Sequence, residues 1–231
     1  MEIVITDLTR FKNPEKVCIA GVSNDGLVLR PMPYLLNSEC RRLNVHPGGV
    51  LESTFSAPKG ESPHVEDASY GELRFKGPCS SDDFRKALEA TRYRSMSEGF
   101  GVEVFDEQKC VPFSNPPVRS LITIKIDPRV LTIEQDGYSP NKFKAHFSDG
   151  IGTQMRFMSI TDRGFSDYAN AHASELGIAA QINHFIWSQD ELYLRLGLSR
   201  RYETGGRDGF WIQINGIYTF PDYLKTIRQY E

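Results

Sequence analysis

Lys142-Phe143-Lys144-Ala145-His146-Phe147 alternates without a fault: Phe143, Ala145 and Phe147 share one side, Lys142, Lys144 and His146 the other. Period-two alternation marks a β-strand with one face on a core and the other toward water. The pattern extends in both directions. Upstream, Leu121–Ile126 sets Ile122, Ile124 and Ile126 against Thr123 and Lys125. Pro128 interrupts it and Val130–Ile133 resumes, as in one long bent strand. Asp136-Gly137-Tyr138-Ser139-Pro140 and Asp149-Gly150 read as turns. Downstream, Gln154–Ile160 is a third strand. Asp162 is placed as a helix N-cap, after which Phe165, Tyr168, Ala169, His172 and Leu176 share one helix face. Gly177 breaks that helix, and Ile178, Ile182, Phe185 and Ile186 continue an apolar stripe to Trp187. Two strands follow. Leu192, Leu194, Leu196 and Leu198 alternate with Tyr193, Arg195, Gly197 and Ser199, and Phe210, Ile212 and Ile214 with Trp211, Gln213 and Asn215.

Three strands, a helix and two strands is the element order of an OB-fold, a small five-stranded barrel. The first half reads as a looser version. Glu2–Thr6, Lys16–Val22 and Leu27–Leu29 are strand-like, with Asn24-Asp25-Gly26 as a hairpin turn. Val50–Phe55 and Gly71–Phe75 add strand material. Ser80–Tyr93 is the first helix, with Ser80 and Asp83 at capping-box spacing. Asn115-Pro116-Pro117 marks a boundary. The expected architecture is mainly β with helices: two tandem OB-like barrels, one over residues 1–117 and one over 118–231.

With 231 residues, 39% hydrophobic and 25% charged, the chain has apolar material for real cores, which excludes global disorder. No apolar run approaches a membrane span, and the start carries no secretory leader, so a cytoplasmic location is expected. Cys18, Cys40, Cys79 and Cys110 form no C-x-x-C pair and read as free thiols. The net charge of −3 argues against bulk attraction to duplex DNA. The deficit lies in residues 1–118, with 14 Lys+Arg against 17 Asp+Glu; residues 119–231 balance at 13 and 13. An anion site must therefore be local, and the second half is the better place for it.

OB barrels bind on strands two and three and on the loops joining strands one to two and four to five. Here those loops are Gln135–Asn141 and Arg200–Gly209. The second holds Arg200, Arg201 and Arg207, with Gly205-Gly206 allowing close backbone approach to a phosphate. Lys142, Lys144 and Arg156 are the outward cations of strands two and three; Tyr193, Arg195 and Trp211 are read as outward on strands four and five. Guanidinium and ammonium groups pair with phosphates, and exposed rings stack unpaired bases. The alternative is that these are ordinary solvated positions. His64, Glu66 and Asp67 could begin a metal or catalytic site, but no second cluster joins them, and carboxylates capping backbone N–H groups account for them equally. No nucleophile elbow, phosphate-binding loop, dinucleotide fingerprint or metalloprotease motif is present, so neither catalytic residues, a cofactor nor a metal is expected.

The segments ITDLTR (5–10), VCIAGV (17–22), LRPMP (29–33), PHVED (63–67), LYLRLGLSR (192–200) and WIQINGIYTFPDYL (211–224) resemble the dual OB-containing domain proteins of bacteria. The resemblance spans nearly the whole chain and implies two tandem OB barrels, with nucleic-acid binding the usual inference and no active site. The reading is a non-enzymatic module for single-stranded nucleic acid or a nucleotide, serving in the resemblance's terms a bacterial repair or defence system. A protein-interaction subunit suiting the acidic first half, or an enzyme built around His64, Glu66 and Asp67, are its rivals.

Overall fold

A computed structural model describes residues 1–11, 13–139 and 142–222. Pro140 and Asn141 of the expected loop, and the end of the aromatic C-terminal motif from Tyr223 onward, lie outside the described residues. The first half begins as a meander of β1 (Glu2–Arg10), β2 (Lys16–Ser23) and β3 (Val28–Met32). β4 (Leu35–Leu36) edges β2, α1 (Asn37–Arg42) follows, and β5 (Gly49–Glu52) returns antiparallel to β1. β6 (Asp67–Ser69) runs parallel to β3, and an antiparallel bridge from Phe55 to Tyr70 ties the two ends of the curl together. β7 (Arg74–Pro78) is added outside β5. Three strands, a helix and two strands thus close around Ile3, Ile5, Leu8, Val17, Ile19, Leu29 and Leu51. This is a cleaner OB order than the sequence suggests. The missing piece is α1, whose six residues bury only Cys40 and are too few to show a helical period.

α2 (Ser81–Glu89), β8 (Arg92–Tyr93), α3 (Met96–Phe100) and β9 (Cys110–Pro112) lie between the barrels in sequence. The second barrel uses β10 (Leu121–Ile126), a 3-10 turn at Pro128–Val130, β11 (Thr132–Gln135), β12 (Phe143–Ser148), β13 (Gln154–Ser159), α4 (Arg163–Ala171), α5 (Ile178–Trp187), β14 (Glu191–Leu198), β15 (Tyr202–Thr204) and β16 (Arg207–Phe220). β10 and β11 are the two arms of the bent strand. One pairs with β14 and the other with β12, and the bend falls at Pro128 as its φ constraint requires. β13 meets β16 through a parallel bridge from Ile160 to Ile214, and β16 pairs antiparallel with β14. Asp162 caps α4 as expected, accepting from the Phe165 N–H at 3.1 Å.

The apolar core does not divide at residue 117. Met96, Phe100, Val104 and Val111 are buried in one cluster with Ile122, Leu194 and Ile214, and β8 and β9 pair with β10 and β16. Physically, the chain from β8 onward packs with the second barrel. α2 is capped by Ser80 as read from the sequence, but Phe84 and Leu88 pack against Tyr193, Tyr218 and Phe220 at the seam between the barrels. Among the described residues no helix is long and apolar enough to cross a membrane.

The seam is held by charge as well as by rings. The outer face of β14 is covered by the first barrel, so Arg195 is 0% exposed and Asp7 is 1% exposed. Arg195 donates from Nε and Nη2 to Asp7 Oδ2 at 3.0 and 2.7 Å, and from Nη1 to the hydroxyls of Thr91 and Thr123 at 3.0 Å each. Asp7 also accepts from Thr6 at 2.8 Å and from Asn215 Nδ2 at 3.2 Å. Two bulges make this meeting: the register of β1 shifts between Ile5 and Asp7, and that of β14 with β16 shifts so that Asn215 is the extra residue. Removing one member of a buried pair leaves the other charge stranded, at a cost of about 3–5 kcal/mol. Arg195→Leu should lose stability of that order in urea unfolding, and Asp7→Leu combined with Arg195→Met should recover most of it. Single and double variants that unfold at the wild-type midpoint would remove the seam pair from the account.

Candidate nucleic-acid interface

The outer face of β11, β12 and β13 is the part of the second barrel that the first barrel leaves open. Its pairing carries a bulge: Ala145 faces Met158 and Phe147 faces Met155, so Arg156 and Phe157 together oppose His146. One extra residue turns both side chains outward and restores Met158 and Ile160 to the core. Phe157 takes a left-handed backbone, φ 52°, costly for a bulky residue, and its ring is 52% exposed. The ring packs edge-on to His146 at 4.6 Å between centroids, and Lys109 Nζ stands 5.7 Å from its centre. Phe157 and Lys109 are absent from the sequence-derived site. Straight alternation gives Phe157 the same face as buried Met155, and no sequence signal marks the bulge.

Cations crowd here, with carboxylates among them. Lys144 donates to Ser159 Oγ at 3.3 Å. Burial first, then repulsion from Lys109, Lys142 and Arg10, holds its ammonium below the ordinary lysine range against the attraction of Asp136. Arg156 is exposed, with Glu107 3.5 Å away. His146 is hydrogen-bonded to Glu134 at 3.0 Å.

The other expected site residues do not join this face. Tyr193 and Arg195 do point away from their own barrel, but both are buried at the seam: the Tyr193 hydroxyl donates to Glu89 of α2 at 2.7 Å and Arg195 is committed to Asp7 of the first barrel. Arg200 reaches across the seam to Asp67 at 2.7 Å and to the Tyr34 hydroxyl at 2.9 Å. Arg201 is clamped on both oxygens of Asp208, at 2.8 and 2.5 Å, and lies 3.6 Å over the Phe113 ring. Arg207 is exposed on the β15–β16 hairpin, and Trp211 is half-buried with its Nε1 donating to the Tyr202 carbonyl. Gly205 and Gly206, φ 58° and 71°, are the two-residue turn of that hairpin and not a phosphate cradle. A single trough gathering all the named cations therefore does not form. Lys142, Lys109 and Arg10 act on the charge of Lys144, and Arg156 stands on the neighbouring strand beside Glu107.

Glu66 and Asp67 are tied into the fold by hydrogen bonds and ion pairs, and His64 by one ring nitrogen. Glu66 accepts from the backbone N–H of Ser120 and Leu121 at 2.8 and 3.0 Å and from the Ser120 hydroxyl at 2.8 Å, capping the entry to β10. Asp67 bridges Arg30, at 3.0 Å, and Arg200. Arg30 also donates to His64 Nδ1 at 2.9 Å and to Ser120. Among the described residues no group of three His, Cys, Asp or Glu could hold a metal ion. Burial, then the guanidinium groups of Arg30 and Arg200, push the His64 imidazole down to about 3.

The geometry defines a class: two OB barrels fused through a charged seam, with one open strand face on the second. A family model described as the dual OB-containing domain matches residues 1–217, and the chain belongs to that family. No curated protein and no solved structure matches it.

The His64 shift has a consequence for stability. The folded imidazole stays neutral to about pH 3, whereas the ordinary value is 6.5. As pH falls below 6.5 the unfolded chain takes up a proton that the folded chain refuses. The contribution is intact above that point and declines by about 1.4 kcal/mol per pH unit below it. Urea unfolding between pH 7.5 and 5 should show a steeper loss in the wild type than in His64→Gln. Equal slopes would mean that the folded imidazole titrates normally.

Proposed function

We propose that the open face of β12 and β13 binds single-stranded nucleic acid. One observation carries the reading: an aromatic ring is held outward by a bulge, at a backbone angle unfavourable to it, with Lys109 Nζ 5.7 Å from its centre, on the strand pair whose Lys144 also feels Lys109, Lys142 and Arg10. Strain of this kind persists where the surroundings enforce it, and an exposed ring beside ammonium groups has an evident use. Phe157 supplies a face on which an unpaired base stacks, and the lysines pair with the phosphates on either side. Duplex DNA fits poorly, because its stacked bases cannot reach the ring and the chain as a whole is acidic.

The lysines give affinity without sequence preference and make it depend on salt; the ring adds a stacking contribution of about 1–3 kcal/mol. Fluorescence anisotropy with labelled oligo-dT and oligo-rU at low salt should detect binding that weakens as salt rises. Phe157→Ala should weaken it by about 5- to 150-fold, and Lys142→Glu with Lys144→Glu should flatten the salt dependence. Reversing Arg201, already neutralised by Asp208, should change little. Failure of both oligonucleotides to bind at low salt, or full affinity in Phe157→Ala, would overturn the assignment.

A further inference from the structure

Between the barrels lies a cavity of about 60 Å³ whose walls come from both, among them Tyr34 and His64 of the first and Arg200 and Gln213 of the second. At about 30 Å³ per water it has room for about two waters, or for the edge of one planar ring. Most of its polar lining is already satisfied: Asn215 holds Asp7 and accepts from Thr161, and Arg200 holds Asp67. Two groups are not. His64 is 6% exposed, and its Nε2 has no hydrogen-bond partner among the described residues; the backbone of Ser199 lies near it but outside hydrogen-bonding geometry. A guanidinium can only donate, so the Arg30 contact makes Nδ1 the acceptor and places the ring proton on Nε2. The seam therefore presents a buried N–H donor with nothing to receive it. Gln213, half-buried on β16, makes no side-chain hydrogen bond among the described residues, and it offers both a donor and an acceptor. The open side of the cavity carries an aromatic pair, Phe11 and Tyr34, with ring centroids 4.7 Å apart, and the Arg200 guanidinium 5.7 Å from the Tyr34 ring.

We propose that this seam reads the edge of one unpaired base bearing a ring carbonyl, as the pyrimidines do and adenine does not, in the strand bound by the β12–β13 face. The proposal rests on the strand-binding function argued above. His64 Nε2–H donates to the ring carbonyl, the Gln213 amide meets the ring nitrogen beside it, and the Phe11–Tyr34 pair covers the base's face. The two sites are continuous: Arg10, one of the cations around Lys144, immediately precedes Phe11. The fixed donor at His64 selects a base with a ring carbonyl, which adenine lacks, and the Gln213 amide accepts from the N3–H of thymine or donates to the N3 of cytosine. Recognition of one base by residues of both barrels also gives the fusion a role beyond stability: neither barrel alone holds the pocket.

The test compares oligo-dT, oligo-dC and oligo-dA of equal length on the full chain by anisotropy. Wild type should prefer oligo-dT and oligo-dC to oligo-dA by about tenfold or more. Gln213→Leu, at a half-buried position with no partner to lose, should cut that preference to under about threefold while leaving the oligo-dA affinity unchanged. Phe157→Ala should weaken all three alike and keep their ratio. A wild type without preference, or a Gln213→Leu variant that keeps the full preference with an unchanged urea midpoint, overturns the seam reading and leaves strand binding standing. Failure of all three to bind overturns strand binding itself, and the seam reading with it.

Discussion

Everything in this molecule is arranged around a guanidinium and a carboxylate that have both left water. Arg195 and Asp7 come from opposite ends of the chain and from different barrels, and neither retains measurable exposure. Withdrawing two charges costs several kcal/mol each, and attraction alone does not offset that unless the remaining donors and acceptors are also used. Here they are used: three guanidinium nitrogens and both carboxylate oxygens find partners on β1, β10, β14, β16 and the turn after α2. Such a pair tolerates no slip. A shift of one residue in β1 or β14 turns one charge toward its own barrel's core and leaves the other unpaired. The pair therefore sets the docking of the barrels more sharply than the aromatic cluster of Phe84, Tyr218 and Phe220 beside it, since rings can slide and still exclude water.

That docking decides where an anion can bind. Asp7 and Asp67 of the first barrel neutralise Arg195 and Arg200 of the second. What stays open is the wall of β11 to β13, where Lys109, Lys142 and Arg10 repel the charge of Lys144 and the bulge at Arg156 and Phe157 adds a ring. A chain of net charge −3 can carry an anion-attracting face this way, because screening confines each charge's reach to roughly 8–10 Å at physiological salt. The seam thus does two things. It removes cations from solvent on one side, and it leaves a short polar cavity in which His64 Nε2 lacks a hydrogen-bond partner among the described residues.

Much of this was legible in the residues alone. Period-two alternation in 121–126, 142–147, 192–198 and 210–214 placed the strands; Pro128 placed the bend, and Asp162 and Ser80 the helix starts. Each is a local effect: a steric limit on φ, a short side chain that caps a backbone N–H, a side chain that must alternate because the backbone pleats. The order of those elements was enough for the OB architecture. The six-residue α1 was not legible, because less than two turns leave no period to detect.

Lys144 and Arg195 show what alternation cannot tell. Both sit on the polar side of a faultless alternating strand, and nothing within several residues of either distinguishes them. Alternation reports which side faces a strand's own core; it carries no information on what covers the other side. The first barrel covers Arg195 on β14 and leaves β12 open, so one cation became a buried strut and the other stays on an open face. Phe157 is the converse case, since a bulge exists only with respect to a partner strand and its outward ring follows from pairing with β12. The sequence by itself determined the strands, their order and the barrels they form, because those rest on near-neighbour sterics and burial. Only the tertiary structure decided which cations remain free, because that depends on contacts between residues nearly two hundred positions apart.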